Sequence, residues 1–345
     1  MNKGTLKYIA KELGLSASTV SRVVNGKYEG NEKTKQRVLE ALEKHSYIPN
    51  EVARSLQKSS TETIAVVLPD ISETFFGTIV KEIENEVSDS GYMLILADTH
   101  EKAEKERKYL DILYKRRVDA LVLATIDSNG DAVSKFIAND IPVVFIDNIP
   151  KLDGISAITI DNKKAGQIAV DYLLSCGHTQ IATIIGSTSE TTGADRLAGY
   201  CSALSDNNIE KNDSLIKFGD YKLDSGYKAM CELLDNRDKA HFTAVFVTSE
   251  QMTYGALRAI RDRNLNVPDD ISVIGFDIHN LKDDRRQMIT TVRQPEDIIG
   301  KNVGELLLTH LRENDTPKED TRIFLEPFLQ KGDTVKNFKK ENILF

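Results

Sequence analysis

Four residues near the start of the chain carry groups that can read the edges of DNA bases. They are Ala17, Ser18, Ser21 and Arg22, and their spacing places them on one face of a helix. An arginine can donate two hydrogen bonds to a guanine edge, a serine can bond a base or a phosphate, and an alanine can contact the thymine methyl group. The pattern predicts a helix whose exposed face enters the major groove of DNA.

A second short helix precedes this one. Its apolar residues form one stripe: Leu6, Ile9, Ala10 and Leu13. Gly14 suits the left-handed conformation that ends a helix, and Ser16 is a good N-cap for the next helix. The inward-facing residues of that next helix are Val20, Val23 and Val24. The residues at helix ends that can hold phosphates are Thr5, Thr19 and Asn25. We therefore predict a helix-turn-helix.

Two further helices are predicted before residue 60. Asn31 can cap the first of them. The predicted core positions of this helix are Val38, Leu39 and Leu42. Pro49 ends it, and Asn50 can cap another helix of about seven residues, well below the roughly 12–15 that an isolated helix needs. We expect this last helix to form only when another surface packs on it.

The charge is distributed unevenly along the chain. Residues 1–60 contain eight lysines and three arginines against six glutamates, a net charge of +5, whereas the whole chain carries −8. A small basic segment on a larger acidic body indicates a polyanionic partner at one end only.

Composition excludes several other classes of protein. With 345 residues, 40% hydrophobic and 28% charged, the chain has the composition of a globular protein of two or three domains. We find no leader pattern or long apolar run, and the three cysteines form no metal-ligand pattern, so we expect a cytoplasmic protein without membrane, metal or cofactor. The sequence also lacks a phosphate-binding glycine loop, a Gly-x-Ser-x-Gly elbow and a His-Glu-x-x-His motif. An enzyme is therefore not expected.

After residue 60 the pattern changes to alternating strands and helices. Strands are predicted at 64–68, 92–97, 120–123, 143–146, 181–186, 244–247 and 271–276. Helices are predicted at 75–90, 104–116, 165–174, 196–207, 225–235 and 252–263. This alternation, which restarts after about residue 160, indicates two α/β lobes with parallel sheets and a cleft between them.

Polar and aromatic residues follow the predicted strands, where ligands bind in open α/β sheets. They are Asp70, Phe75, Phe76, Asp147, Thr192, Arg196, Tyr221, Ser249 and Asp277. Carboxylates and an arginine can bind hydroxyl groups while aromatic rings cover C–H surfaces, which suits a polyhydroxylated ring. Three alternatives remain open: Arg196 and Asp277 could form a structural ion pair, Phe75 could belong to the core, and Asp70 could cap a helix.

The string Thr19-Val20-Ser21-Arg22-Val23-Val24-Asn25-Gly26 closely resembles the headpiece of the LacI/GalR family, and the resemblance continues to Leu56. It implies that the short helix pairs with its twin in the minor groove, where Leu56 wedges into a base step. It also implies DNA contacts for Tyr47, Asn50 and Ala53. Within the family-like string 290–295, it adds Gln294 to the effector site.

The body resembles the family's type I periplasmic-binding-protein-like effector domain. The implied domains are a headpiece at 1–49, a hinge helix and linker at 50–60, and an effector and dimerisation domain at 61–345. Its lobe 1 would comprise about 61–160 plus 292–325, and lobe 2 about 161–291 plus 326–345. The chain would cross between the lobes near 160–161, 291–292 and 325–326.

The resemblance implies a transcriptional repressor that binds a pseudopalindromic operator as a homodimer and responds to a small molecule, with a sugar as the leading class. Ser249 and Ile278 depart from the family pattern, which leaves purines, nucleosides and sugar phosphates open. A phosphorylated carrier protein as co-effector also remains open. A periplasmic-type sugar-binding protein would account for the body but not for residues 1–60.

Overall fold

The computed structural model describes residues 5–47, 60–279, 287–312 and 320–341. The chain divides into two compact units, Met1–Thr61 and Glu62–Phe345. The predicted hinge contacts Asn50, Ala53 and Leu56 lie outside the described residues, so their roles stay predictions. No helix in the described ranges is long and apolar enough to span a membrane.

The first unit contains three helices, α1 Leu6–Leu13, α2 Ala17–Val24 and α3 Glu32–Lys44. Each begins at a residue whose side-chain oxygen accepts a backbone N–H of the first turn: Thr5, Ser16 and Asn31. Gly14 ends α1 in the left-handed conformation, with φ of 67°. The local signals in the sequence therefore set the beginning and end of the helix-turn-helix.

A small apolar core joins the three helices. Ile9, Val20 and Val38 are fully buried, one from each helix. The prediction of Leu39 as a core residue is wrong, because its side chain is 42% exposed, whereas Ala41 is buried. Val38 and Ala41 lie three residues apart and share the inward face of α3, which turns Leu39 toward solvent.

The second unit contains two six-stranded sheets. In the first sheet all strands are parallel, in the order β11-β5-β4-β3-β1-β2. Its strands are β1 Thr63–Leu68, β2 Met93–Asp98, β3 Ala120–Leu123, β4 Val143–Ile146, β5 Ser156–Ile160 and β11 Arg322–Leu325. Its central strands are buried on both faces, as expected for a parallel sheet between helical layers.

The second sheet has the order β12-β10-β9-β8-β6-β7, and only β12 is antiparallel. Its strands are β6 Ile181–Ile185, β7 Ile216–Phe218, β8 Ala244–Val247, β9 Ser272–Phe276, β10 Thr290–Arg293 and β12 Phe328–Gln330. We call the first sheet with its helices lobe 1 and the second lobe 2. Because β10 lies in lobe 2, the second crossing follows Arg293, slightly later than the sequence indicated.

Helices cover both sheets. They are α4 Thr74–Val87, α5 Ala103–Lys115, α6 Ser134–Ile137, α7 Asn162–Ser175, α8 Thr191–Asp206, α9 Leu223–Asp235, α10 Glu250–Asp262, α11 Glu296–Arg312 and α12 Phe338–Glu341. Helix α11 was not predicted from the sequence. Its Gly300 lies against α4, where a Cβ would come within 2.7 Å of the Ile79 carbonyl oxygen. The same helix buries an apolar stripe of Ile299, Val303 and Leu307, spaced four residues apart.

Candidate functional site

A cavity of about 360 Å³ lies between the two lobes, at the carboxyl ends of their strands. All the predicted effector residues except Asp70 line it: Phe75, Phe76, Asp147, Thr192, Arg196, Tyr221, Ser249, Asp277 and Gln294. The residues that line the cavity come from both lobes, and they include residues of helices α4 and α8. A ligand in the cavity would therefore touch both lobes at once.

Asp70 has a local role instead. Its Oδ1 accepts hydrogen bonds from the Ser72 backbone N–H at 2.8 Å and from the Ser72 hydroxyl at 2.6 Å. It therefore holds the turn that leads into α4, although the N-cap position itself belongs to Glu73. Asp70 does not line the cavity.

Arg196 is fixed by groups of its own lobe. Its Nε donates to Asn162 Oδ1 and its Nη1 to the Thr248 carbonyl oxygen, both at 2.8 Å. The guanidinium carbon lies 3.7 Å from the centre of the Phe276 ring, a cation–π contact. Asp147 Oδ1 approaches Nη2 only to 3.9 Å. The guanidinium is therefore held rigidly, with one edge directed toward a half-buried carboxylate of lobe 1.

Arg196 and Asp277 do not form the structural ion pair that the sequence left open, because the Asp277 carboxylate is hydrogen-bonded to Gln294 instead. The two carboxylate oxygens of Asp277 accept the Gln294 backbone N–H at 3.0 Å and its Nε2 at 2.8 Å. Burial raises the pKa of Asp277 to about 6, although the hydrogen bonds from Gln294 lower it. The Gln294 Oε1 atom is buried and has no hydrogen-bond partner within the described ranges.

Four cavity residues have a backbone conformation that is uncommon for residues other than glycine. Glu101, Asp147, Tyr221 and Asp277 have φ of 55°, 60°, 65° and 53°. Asp147 and Asp277 directly follow β4 and β9, and the left-handed turn there redirects the chain as it leaves the sheet. Such strained residues cluster at functional sites, where the surrounding structure holds them in place.

Aromatic side chains form part of the cavity wall. The rings of Phe75 and Phe76 meet edge to face, with centroids 5.0 Å apart. Both are nearly buried and also belong to the main hydrophobic core, so Phe75 is a core residue and a wall residue at the same time. Tyr221 is accommodated by Gly186, where a Cβ would come within 2.0 Å of the ring.

Two direct contacts between the lobes were not foreseen from the sequence. Asn148 Oδ1 accepts hydrogen bonds from the backbone N–H of Thr191 at 2.8 Å and from its hydroxyl at 2.6 Å. Lys222 Nζ forms an ion pair with Glu101 Oε2 at 2.9 Å. These polar residues carry no distinguishing pattern in the sequence, since only the approach of the two lobes makes them partners.

Two carboxylates at equivalent places in the lobes were also not predicted from the sequence. Glu73 occupies the N-cap position of α4 in lobe 1 and Glu190 that of α8 in lobe 2, and neither side chain accepts a hydrogen bond from its helix. Burial, together with the nearby Asp147 carboxylate, raises the pKa of Glu73 to about 8. Burial and Asp147 likewise raise the pKa of Glu190 to about 8. Both groups bind their protons more tightly in the folded protein than in water.

This arrangement predicts that stability falls as pH rises. Glu73 and Glu190 have folded pKa values of about 8, against ordinary values of about 4.3, so the folded state holds more protons between about pH 5 and pH 8. The free energy of unfolding should therefore decrease with pH across this window, by up to about 1.4 kcal/mol per pH unit for each group. Denaturant unfolding at a series of pH values measures this slope.

Isosteric variants identify the responsible groups. Glu73→Gln and Glu190→Gln should each flatten the slope, because glutamine cannot lose the proton. Glu104→Gln is the matched control, since Glu104 is exposed on the first turn of α5 and does not line the cavity. An unchanged slope in both cavity variants would contradict the assignment.

The predicted DNA-reading face is accessible in the first unit. The side chains that it presents to solvent are Ala17, Ser18, Arg22 and Asn25, with Ser21 half-buried beside them. Ser16 Oγ lies 2.8 Å from both Ser18 Oγ and Thr19 Oγ1, which orders the start of α2. Tyr47, in contrast, packs partly against the headpiece core. The helix therefore offers hydroxyl groups and one guanidinium on a single face.

The described residues contain no group of His, Cys, Asp and Glu that could hold a metal ion. His178 is buried and bonded to Thr243 Oγ1 at 2.8 Å and to the Lys336 carbonyl oxygen at 3.0 Å, which makes it a structural residue. The three cysteines are not disulfide-bonded; Cys176 is buried and the other two are half-buried.

Comparison with known proteins decides the family. Residues 5–50 match the family described as bacterial regulatory proteins, lacI family. Residues 61–340 match the family described as periplasmic binding proteins and sugar binding domain of LacI family. The chain belongs to the LacI family. The predicted fold class, a helix-turn-helix headpiece followed by a two-lobed α/β effector domain, is thereby confirmed.

Curated relatives align with nearly the whole chain. Catabolite control protein A of Priestia megaterium is 34% identical over 308 residues, which are 89% of this chain and 92% of that protein. The HTH-type transcriptional repressor PurR of Aliivibrio fischeri (strain MJ11) is 32% identical over 335 residues, 96% of this chain and 98% of that protein. This LacI-family chain is therefore a DNA-binding transcriptional regulator of the repressor type, controlled by an effector, and not an enzyme.

Solved structures resemble the chain over the same extent. The lac repressor dimer bound to operator and the anti-inducer ONPF has a TM-score of 0.83 and 27% identity, covering 96% of this chain and 99% of its own. A complex of the transcriptional regulator CelR with cellobiose has a TM-score of 0.73 and 29% identity, with the same coverage.

Proposed function

We propose that this LacI-family regulator represses transcription from a pseudopalindromic operator and that a sugar bound between its lobes controls the repression. The observation that carries the effector assignment is the cavity itself, where fixed acceptors of Asp277 and Gln294 lie in one wall with the aromatic rings of Phe75 and Phe76. Hydrogen-bond acceptors at fixed positions can bind the hydroxyl groups of a sugar, and the aromatic side chains can pack against its C–H groups. The structure of a relative with cellobiose supports this class.

A purine or nucleoside is the second candidate. The relative named PurR, 32% identical along nearly the full chain, supports it. Aromatic walls and an amide such as that of Gln294 also suit a flat heterocycle with donor groups. Both candidate ligands would bind in the same cavity between the lobes.

A ligand panel separates the two candidates. Thermal unfolding of the full-length protein should be followed with hexoses, disaccharides, sugar phosphates, nucleosides and purines. A ligand at a hundredfold excess over its dissociation constant adds about 2.7 kcal/mol of stability, a readily measured shift. Stabilisation by a sugar supports the proposal, and stabilisation by a purine alone favours the second candidate. No stabilisation by any compound would reject the cavity as a small-molecule site and favour a protein co-effector.

We propose that the contacts between the lobes transmit effector binding to the DNA-binding region. A ligand that touches both lobes changes how they close, and closure makes or breaks the Asn148–Thr191 and Lys222–Glu101 contacts. The lobe movement would alter the pairing of the two short helices around Leu56, and operator affinity would change with it.

The residues proposed to contact DNA are Thr5, Ser16, Ala17, Ser18, Thr19, Ser21, Arg22, Asn25, Tyr47, Asn50, Ala53 and Leu56. Since the operator lies in cytoplasmic DNA, we place the protein in the cytoplasm.

We assign the dimer interface to the edge formed by β2 in lobe 1 and β7 in lobe 2. Met93 and Leu96 on β2 are 64% and 49% exposed, and Phe218 on β7 is 58% exposed. Both strands are terminal in their sheets. An exposed apolar edge strand is a pairing hazard unless another chain covers it, and a partner subunit would cover both edges.

Met93→Asp should raise the dimer dissociation constant about tenfold to hundredfold, because a buried charge opposes association. Sedimentation velocity over a concentration series measures this change. Phe324→Asp is the matched control, since Phe324 is 59% exposed on β11 at the opposite edge of the same sheet. If Phe324→Asp dissociates the dimer and Met93→Asp does not, the dimer interface lies at the β11 edge instead.

A further inference from the structure

The cavity has many more carboxylates than cationic groups. The acidic residues in its wall are Glu73, Glu101, Asp147, Glu190, Asp220, Glu250 and Asp277, whereas the only basic residues in the described lining are Arg196 and Lys222. Lys222 is already paired with Glu101, and Arg196 Nη2 lies 3.9 Å from Asp147 Oδ1, so each cation already faces one carboxylate. The cations of the wall therefore leave most of the acidic groups without a counter-charge.

Two of these acids are also without a hydrogen-bond partner in the described contacts. Glu73 and Glu190 come from different lobes, each directly before the first turn of a helix, and neither bonds to that helix. Both lie close enough to Asp147 and Glu101 to feel their charges. The two lobes therefore bring equivalent carboxyl groups to one acidic region of the cavity.

A second observation points to a donor on the ligand. Gln294 is 2% exposed, and its Nε2 is committed to Asp277, so the amide orientation is fixed. Its Oε1 remains buried in the cavity wall without a partner in the described part of the chain. A buried acceptor without a partner is unfavourable, and a ligand N–H or O–H would supply the missing hydrogen bond.

We propose that the effector is a polyhydroxylated ring that carries a positively charged nitrogen, and that Glu73 of lobe 1 and Glu190 of lobe 2 hold this nitrogen between them. The inference rests on the proposed effector function of the cavity and narrows its ligand class to amino sugars. A cation would supply the counter-charge that the wall lacks, whereas a phosphate or carboxylate would add repulsion. Since the two carboxylates belong to different lobes, the bound cation would also draw the lobes together.

The test compares related sugars that differ in one substituent and in the charge that it carries. Glucosamine, galactosamine and mannosamine are titrated into the full-length protein, each beside its neutral parent sugar and the corresponding 6-phosphate, together with purine nucleosides. Titration calorimetry at about pH 6.5 keeps the amines protonated. Because Glu73 and Glu190 hold their own protons at this pH, binding of an amine at these groups should release protons into the buffer. We expect one amine to bind about tenfold or more tightly than its parent, and the phosphates not to bind.

Variants then locate the charge. Glu73→Gln and Glu190→Gln should each reduce the ratio of amine to parent affinity about tenfold, while Glu104→Gln leaves it unchanged. Tighter binding of a neutral sugar, a phosphate or a nucleoside would overturn this inference and leave the cavity as the effector site. An amine preference that survives both variants would also overturn it. Absence of binding by every compound would reject both this inference and the proposed cavity function.

Discussion

Replacing Arg196 by alanine should destabilise the effector domain by about 3–5 kcal/mol and abolish the response to effector. Removing one member of a buried, hydrogen-bonded charge network has a cost of this size, because the remaining groups stay buried without partners. Here Asn162 Oδ1 and the Thr248 carbonyl oxygen would each lose a donor that lies at 2.8 Å. The pKa of Asp277 would rise further, because the positive charge that lowers it would be gone.

Denaturant unfolding of the full-length protein measures this loss. Arg263→Ala is the matched control, since Arg263 forms an exposed ion pair with Asp235 at 2.6 Å in the same lobe. Exposed pairs contribute about 0–1 kcal/mol, so this variant should unfold almost as the wild type does. Equal unfolding midpoints for both variants would contradict the role that we assign to Arg196.

Arg196→Lys separates the charge from the shape of the guanidinium. Lysine keeps the positive charge, but it lacks the planar fork that reaches Asn162 and Thr248 together and stacks on Phe276. We therefore expect this variant to recover only a small part of the lost stability. Full recovery would mean that the charge opposite Asp147 alone is important.

The headpiece could be predicted closely from sequence because its signals are local. Thr5, Ser16 and Asn31 each cap the helix that follows them, and Gly14 ends α1 within its own turn. Leu39 was misassigned because helical spacing alone does not say which side of an apolar pair faces the core. The caps, in contrast, need no information from the rest of the fold.

The cavity was predicted in part. Asp147 and Asp277 followed from the rule that ligands bind beyond the carboxyl ends of parallel strands. Glu73 and Glu190 could not be found in this way, because a glutamate before a helix is usually solvated. Burial in the cavity wall and the nearby acidic groups raise their pKa values to about 8. The chemistry of the cavity therefore depends on long-range contacts that leave no pattern in the sequence.

Replacing Arg22 by alanine should reduce operator affinity by about 2–6 kcal/mol. A bidentate contact between arginine and guanine contributes about 1–3 kcal/mol of discrimination, and a dimer carries two copies of it, one in each half-site. Arg22 is exposed on α2, and it is in the last turn of the helix, opposite the buried Val20 and Val23. The folding of the headpiece should not change, since the side chain makes no core contact.

The ratio of specific to non-specific affinity is the decisive measurement. Fluorescence anisotropy with an operator duplex selected by this protein and with an unrelated duplex gives both values at one salt concentration. Lys11→Ala removes the same charge from an exposed position on α1, so it should weaken both affinities slightly and equally. Arg22→Ala should lower the operator affinity far more than the non-specific affinity, because a base contact exists only on the correct sequence. An equal loss on both duplexes would mean that Arg22 contacts phosphate and that another residue of α2 reads the guanine.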